Sequence, residues 1–192
     1  MKHTVAKIIS LLFGLLWIPI LIIFGVWKAD LSQYLSFQIG LVFILFVVFI
    51  PLFLFYILFK KKKISEMDII NRKERIIPFI ITIFCFLIVL IFSSFIHNSF
   101  LFQYQMILFI ALIVNFCFTL FWKISLHMGM NTIGIIFINV FTGYQFWYLI
   151  FILPFVYWAR LHLKRHTHAQ LIAGVGINLF VSILLLYVFG YL

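Results

Sequence analysis

The sequence predicts an all-α, polytopic transmembrane helical bundle of about seven hydrophobic segments, two of them short. Three observations predict it. Of 192 residues, 67% are hydrophobic and only 9% are charged, whereas soluble domains are roughly half apolar and about a quarter charged. The apolar runs repeatedly exceed the ~18–20 residues that a helix needs to cross a bilayer. The Lys and Arg residues gather at the ends of those runs. The whole of 1–192 therefore reads as a single integral membrane domain, with no room for a separate soluble one. The aromatic excess is mostly Phe, as lipid-facing and interhelical packing requires.

Five segments are long enough to cross. The first runs from Ile8 to about Trp27, behind Lys2 and Lys7. No small-residue cleavage site follows it, so it reads as a retained helix rather than a secretory leader. The second, from about Ser36 to Phe59, opens into a charged loop over Lys60 to Arg75. The third covers about Ile76 to Ile96 and the fourth about Leu101 to Phe121. Between them, His97 and Asn98 are expected only to solvate their loop. The last runs from about Ala169 to Tyr191. At ~1.5 Å per residue, each of these reaches ~30 Å, the thickness of the hydrocarbon layer. The 32 residues between His127 and Arg160 are different, with a turn signal, Thr142-Gly143-Tyr144, near their middle. Two helices of ~15 residues, each ~22 Å long, fit there as a hairpin with its turn sunk below the far surface. One long helix is the alternative. The hairpin is preferred because it returns Arg160 to the side of His127.

With seven crossings, the N-terminus, the 60–75 loop, Lys123 and the 160–168 loop share one face. That face holds thirteen of the fourteen Lys and Arg residues, all but Lys28. The positive-inside rule makes it cytoplasmic and puts the C-terminus outside. A bacterial inner membrane is the expected location. Lys60 to Lys63 read as a topology anchor touching anionic headgroups. The formal charge of +10 is thus read as facing membrane lipid, and no nucleic-acid partner is expected. Cys85 and Cys117 read as small buried apolar residues. Asn115 and Asn139, inside apolar runs, read as interhelical hydrogen-bond glue. The sequence does not specify an oligomeric state.

The chemistry-bearing residues form three polar islands on that face. The first is Asn71-Arg72-Lys73-Glu74-Arg75-Ile76-Ile77-Pro78 and the second Lys123-Ile124-Ser125-Leu126-His127. The third spans 159–168, where Arg160 is followed after five residues by His166. Cations and imidazoles at a membrane boundary suit phosphate carried on a lipid. Asp30, Glu66, Asp68 and Glu74 are the only acids. They are too few to supply the carboxylate clusters of Mg²⁺-dependent phosphate chemistry, or the paired Asp clusters of a prenyl- or phosphatidyl-transferase. No His pair elsewhere has metal-ligand spacing, so no metal and no other cofactor is expected.

These islands resemble the three motifs of the type 2 phosphatidic acid phosphatase superfamily, over about residues 68–180. Those motifs read Lys-x6-Arg-Pro, Pro-Ser-Gly-His and Ser-Arg-x5-His-x3-Asp. Arg160 and His166 match the spacing of the third, and Ser125-Leu126-His127 keeps the Ser and His of the second. In the first, Arg75 precedes Pro78 by three residues rather than one, and Asp68 stands where the motif has Lys. The strings Asn-Arg-x-x-Arg-x-x-Pro, Trp-Lys-x-Ser-x-His and His-Thr-x-x-Gln are similar to a group of small bacterial membrane proteins placed in that superfamily. The resemblance implies a helical core of that type and metal-independent hydrolysis of a lipid phosphate or diphosphate. His166 would be the nucleophile, forming a phosphohistidine. His127 would protonate the leaving group and later activate water. Arg160 and Arg75, with Arg72, Lys123 and Ser125, would bind the nonbridging oxygens. Backbone N–H groups at two helix starts would add anion affinity. Phosphatidate, phosphatidylglycerophosphate and polyprenyl phosphates or diphosphates are the candidate substrates.

The chain departs from the third motif at two places: Ala159 replaces its Ser and Gln170 its Asp. A Gln carbonyl can accept a hydrogen bond from the nucleophile's Nδ1 and hold its tautomer. It cannot stabilise imidazolium by charge, for which Glu74 or Asp68 is an alternative source. Thr167-His168-Ala169-Gln170 is also an S/T-x-x-E/Q capping box, which accounts for Thr167 and Gln170 without catalysis. A basic juxtamembrane segment would also account for 160–168. What favours a site is the coincidence of Arg-x5-His with Ser-x-His on one face. His162 and His168 read as solvated or interfacial. The alternative function is a catalytically impaired lipid-phosphate-binding or scaffold protein. A transporter fits less well, because only one suspect pair of broken segments is visible, at 128–159, where inverted repeats would show more.

Overall fold

In the computed structural model, every regular element among the described residues, 1–15, 17–66 and 68–192, is a helix. They are α1 (Lys2–Leu15), α2 (Trp17–Lys28), α3 (Gln33–Ile44), α4 (Ile50–Lys60), α5 (Ile76–Ser94), α6 (Ser99–Phe121), α7 (Leu126–Phe141), α8 (Ile152–His162) and α9 (His168–Val188). Short 3-10 turns at Lys73–Arg75 and Trp147–Phe151 lead into α5 and α8. Five stretches are long and apolar enough to cross a bilayer: Lys2–Lys28, in which residue 16 is not described, Gln33–Lys60, Lys73–Ser94, Ser99–Phe121 and His168–Val188. This is the helix inventory of an integral membrane protein.

Gln33–Lys60 is not a uniform helix. Between α3 and α4 the turn Leu45–Phe49 widens into a π-helix, and the Ile50 N–H bonds to Leu45 O, five residues back. Pro51 supplies the cause. It has no N–H, and its ring would strike the carbonyl four residues earlier, so the chain widens by one residue ahead of it. Hydropathy alone reads the segment as continuous.

The 128–159 stretch folds as the hairpin rather than one long helix. α7 has 16 residues and α8 has 11, extended at its start by the five-residue 3-10 turn. At 1.5 Å per residue α7 is ~24 Å long, short of a full crossing. The turn passes through Gly143 and Tyr144 at φ 65° and 63°. Asn139 holds it closed: its Nδ2 donates to Ile135 O at 2.9 Å and to Phe146 O at 3.2 Å. Asn115 likewise donates from Nδ2 to Ala111 O of its own helix at 2.7 Å.

The chain divides into two compact units, Met1–Trp17 with Lys123–Leu192, and Ile18–Trp122. In Ile18–Trp122, α5 packs on α6 through Phe79 against Phe116 and Phe86 against Phe109, with ring centroids 5.6 and 6.0 Å apart. Buried Tyr104 fits over Gly25 and donates its hydroxyl to Leu21 O at 3.0 Å. Asn98 does more than solvate a loop. Its Oδ1 caps α6 by accepting from Leu101 N–H at 2.8 Å, and its Nδ2 donates to Ala29 O at 2.9 Å. A helix start leaves N–H groups without intrahelical partners, and Asn is among the best caps for them. Cys85 is buried as expected, but Cys117 is exposed on the outer face of α6. A thiol is apolar enough for a lipid-facing position.

In the other unit, α7 packs against α9 and α1 against α8. Small residues permit the close approach. A Cβ at Gly129 would collide with the Asn178 amide, and one at Gly174 would come within 2.5 Å of Ser125 O. Met128, Val156 and Leu171 form a buried apolar cluster.

Candidate functional site

α8 ends in a Schellman turn. Lys164 N–H bonds to Leu161 O at 2.9 Å and Arg165 N–H to Arg160 O at 3.1 Å, with Lys164 in the left-handed region at φ 54°. The reversal sends the chain straight into the cap of α9. There the capping box is complete. Gln170 N–H donates to Thr167 Oγ1 at 3.4 Å, and Thr167 N–H donates to Gln170 Oε1 at 3.2 Å. The same Oε1 lies 3.2 Å from His166 Nδ1.

That geometry assigns donor and acceptor at the His166 contact. Because Thr167 N–H can only donate, the atom it meets is the amide oxygen of Gln170. That oxygen can only accept, so at this contact His166 Nδ1 carries a proton. Helix cap and imidazole orienter are one atom, so the two readings of Gln170 coexist. Glu74, the alternative carboxylate, lies in the Ile18–Trp122 unit and accepts the N–H and hydroxyl of Ser65, each at 2.8 Å.

Arg160 and His166 are 1% and 7% exposed. An ordinary juxtamembrane basic segment would leave such side chains exposed, as His162, Lys164 and His168 are. Ionisable groups buried inside a membrane protein are costly and mark functional sites by default. Arg160 Nη1 donates to Ser10 Oγ on α1 at 2.7 Å. One turn further along α1, Gly14 faces His127, and a Cβ at Gly14 would collide with its imidazole. Asn131 Nδ2 donates to Phe13 O and to His127 O, at 2.7 Å each, and its Oδ1 accepts from Trp17 Nε1–H. Sequence reasoning missed Ser10, Gly14 and Asn131. A signal for the first two was present: Ala6, Ser10 and Gly14 recur every four residues, a small-x-x-x-small stripe.

Lys123 and Ser125 join the second island to the third. Lys123 Nζ donates to Arg165 O at 2.8 Å. Ser125 N–H donates to Gln170 O at 3.1 Å. The Ser125 side chain is fully buried and caps α7, its Oγ accepting from Met128 N–H at 3.4 Å. His168 Nδ1 lies 2.6 Å from the Tyr157 hydroxyl, and His162 stacks on Trp158 with centroids 5.4 Å apart.

Arg72 and Arg75 lie in the Ile18–Trp122 unit. Arg75 is buried and donates from Nε and Nη2 to Ile69 O at 3.2 and 2.9 Å. Arg72 Nη1 donates to Leu120 O at 2.7 Å, at the carbonyl end of α6, where a cation complements the helix dipole. Each therefore has a structural carbonyl partner within its own unit.

Charge divides unequally between the units. All four acids belong to Ile18–Trp122, while the other unit carries Lys2, Lys7, Lys123, Arg160, Lys164 and Arg165 with no Asp or Glu. Among the described residues, no group of three His, Cys, Asp or Glu converges as a metal site would. Comparison with protein-family models, curated proteins and solved structures finds no match to this chain.

Proposed function

We propose that the protein is a metal-independent membrane lipid phosphatase that works through a phosphohistidine on His166. The observation that carries this reading is the oriented, buried imidazole. Gln170 Oε1 stands 3.2 Å from His166 Nδ1, which leaves the Nε2 lone pair as the nucleophile. Buried Arg160, whose guanidinium offers forked donors suited to phosphate oxygens, supports an anionic ligand.

The reaction follows from these groups. The Nε2 lone pair of His166 forms an N–P bond as the P–O bond to the lipid breaks, and His127 gives its proton to the leaving oxygen. A water, its proton taken by His127, then attacks phosphorus; the N–P bond breaks and phosphate leaves. Arg160 offers forked donors to the nonbridging oxygens, whose charge persists throughout. When the orienting carboxylate of a serine-protease triad becomes an amide, about four decades of rate are lost through the wrong tautomer. Here the amide presents its oxygen to Nδ1, which favours the tautomer that the reaction needs. The loss is confined to charge stabilisation of imidazolium.

The test uses folded, purified protein in liposomes carrying phosphatidate, phosphatidylglycerophosphate, or a polyprenyl phosphate or diphosphate. Phosphate release in EDTA is expected from at least one of them, and none from His166→Ala. A folded protein that releases phosphate from no lipid contradicts the proposal. One observation favours a second reading, a silent lipid-phosphate binder: the amide that faces His166 is neutral and already engaged in capping α9. That reading expects vanadate to bind without turnover.

A further inference from the structure

We propose that α1 is the positioning element of this site: Ser10 sets the guanidinium of Arg160 and Gly14 sets the imidazole of His127. The inference rests on the phosphatase reading and extends it to residues that lie outside all three polar islands.

Three contacts carry it. Ser10 Oγ accepts from Arg160 Nη1 at 2.7 Å, and Arg160 is 1% exposed, so the hydroxyl fixes one edge of a fork that has little freedom elsewhere. Gly14 lies against the tip of the His127 ring, where a Cβ would overlap Nε2 and Cδ2. Asn131 ties the two helices together at that level by donating to Phe13 O of α1 and His127 O of α7. Ser10 and Gly14 are four residues apart and so lie on one face of α1, one turn apart. α1 thus presents a hydroxyl to the phosphate clamp and an empty position to the general acid. The requirement for a small residue is different at each: a hydrogen-bond acceptor at Ser10, absence of a side chain at Gly14.

The experiment uses full-length protein in nanodiscs, labelled with ¹⁵N at Arg and His, with three variants: Ser10→Ala, Ser10→Thr and Gly14→Ala. Ser10→Ala should shift the Arg160 side-chain signal, and Ser10→Thr should restore it. Gly14→Ala should shift the His127 ring signals and leave those of His166 in place, which also reports an intact fold. Turnover is then compared on an alkyl lipid phosphate and an aryl phosphate. An alkoxide needs protonation to leave, and a general acid contributes about 10²–10⁴-fold, whereas a phenolate leaves without it. Gly14→Ala should therefore lower kcat on the alkyl substrate by about tenfold to 100-fold and change the aryl rate by less than about threefold. Ser10→Ala should lower kcat/KM on both substrates alike, by about tenfold, the scale of one lost hydrogen bond to a charged group.

Unmoved Arg160 and His127 signals overturn the proposal whether or not the protein turns over. So do equal losses on both substrates in Gly14→Ala, which would make α1 a mere packing wedge. If the wild type releases no phosphate from any substrate, the phosphatase reading fails, and the NMR signals alone decide the role of α1.

Discussion

Gln170 concentrates the question of activity in one side chain. It caps α9 and faces His166 through the same oxygen. Gln170→Glu keeps the capping box, because Glu serves at that position as well as Gln. It also gives the imidazolium a negative partner. A charge-assisted hydrogen bond exceeds a neutral one by roughly 1–2 kcal/mol, so turnover should rise about tenfold with thermal stability held. Initial rates of phosphate release and a melting curve check both parts. A rate that stays at zero favours the silent binder. The residues of this site were unequally legible. Five residues separate Arg160, in the last turn of α8, from His166, so local spacing revealed them. The partner of Arg160 is Ser10, separated by 150 positions, and only folding brings the two together. Lys123, Ser125, Arg72 and Arg75 were read as phosphate ligands from their islands; the backbone bond that each makes was not legible, because its partner is set by the fold.

At the scale of elements, the turn between α8 and α9 decides where His166 sits. It depends on Lys164 in a left-handed conformation, at φ 54°. L-residues pay for that geometry, and a β-branched side chain suffers most. Lys164→Val should lower stability by roughly 1–2 kcal/mol, while Lys164→Gly should hold or raise it. Unfolding in mixed micelles with rising SDS measures both. The buried arginine at the start of α5 makes a parallel case in the other unit. Arg75→Ala removes two donors from Ile69 O and should cost roughly 1–3 kcal/mol in the same assay. Helix identity was largely legible, because long apolar runs and the Thr142-Gly143-Tyr144 turn leave few alternatives. The π turn at Leu45–Phe49 was not, although Pro51 announces it, because hydropathy does not register a missing N–H. Asn98 and Asn139 were legible as polar interruptions but not as the cap and turn clasp they become.

For the molecule as a whole, charge sidedness and chemistry make linked predictions. The seven-crossing reading assigns thirteen of fourteen Lys and Arg residues to a cytoplasmic face. A single Cys introduced as Lys62→Cys, with Cys85 and Cys117 replaced, should resist an impermeant thiol reagent in spheroplasts and react after permeabilisation. Labelling before permeabilisation would reverse the orientation. The central claim is the covalent step, and trapping it tests the account most directly. Protein incubated with lipid carrying ³²P-phosphate and quenched in alkali should hold an acid-labile label that maps to His166 and is absent from His166→Ala. A folded protein that binds the lipid yet gives neither label nor free phosphate would contradict the account.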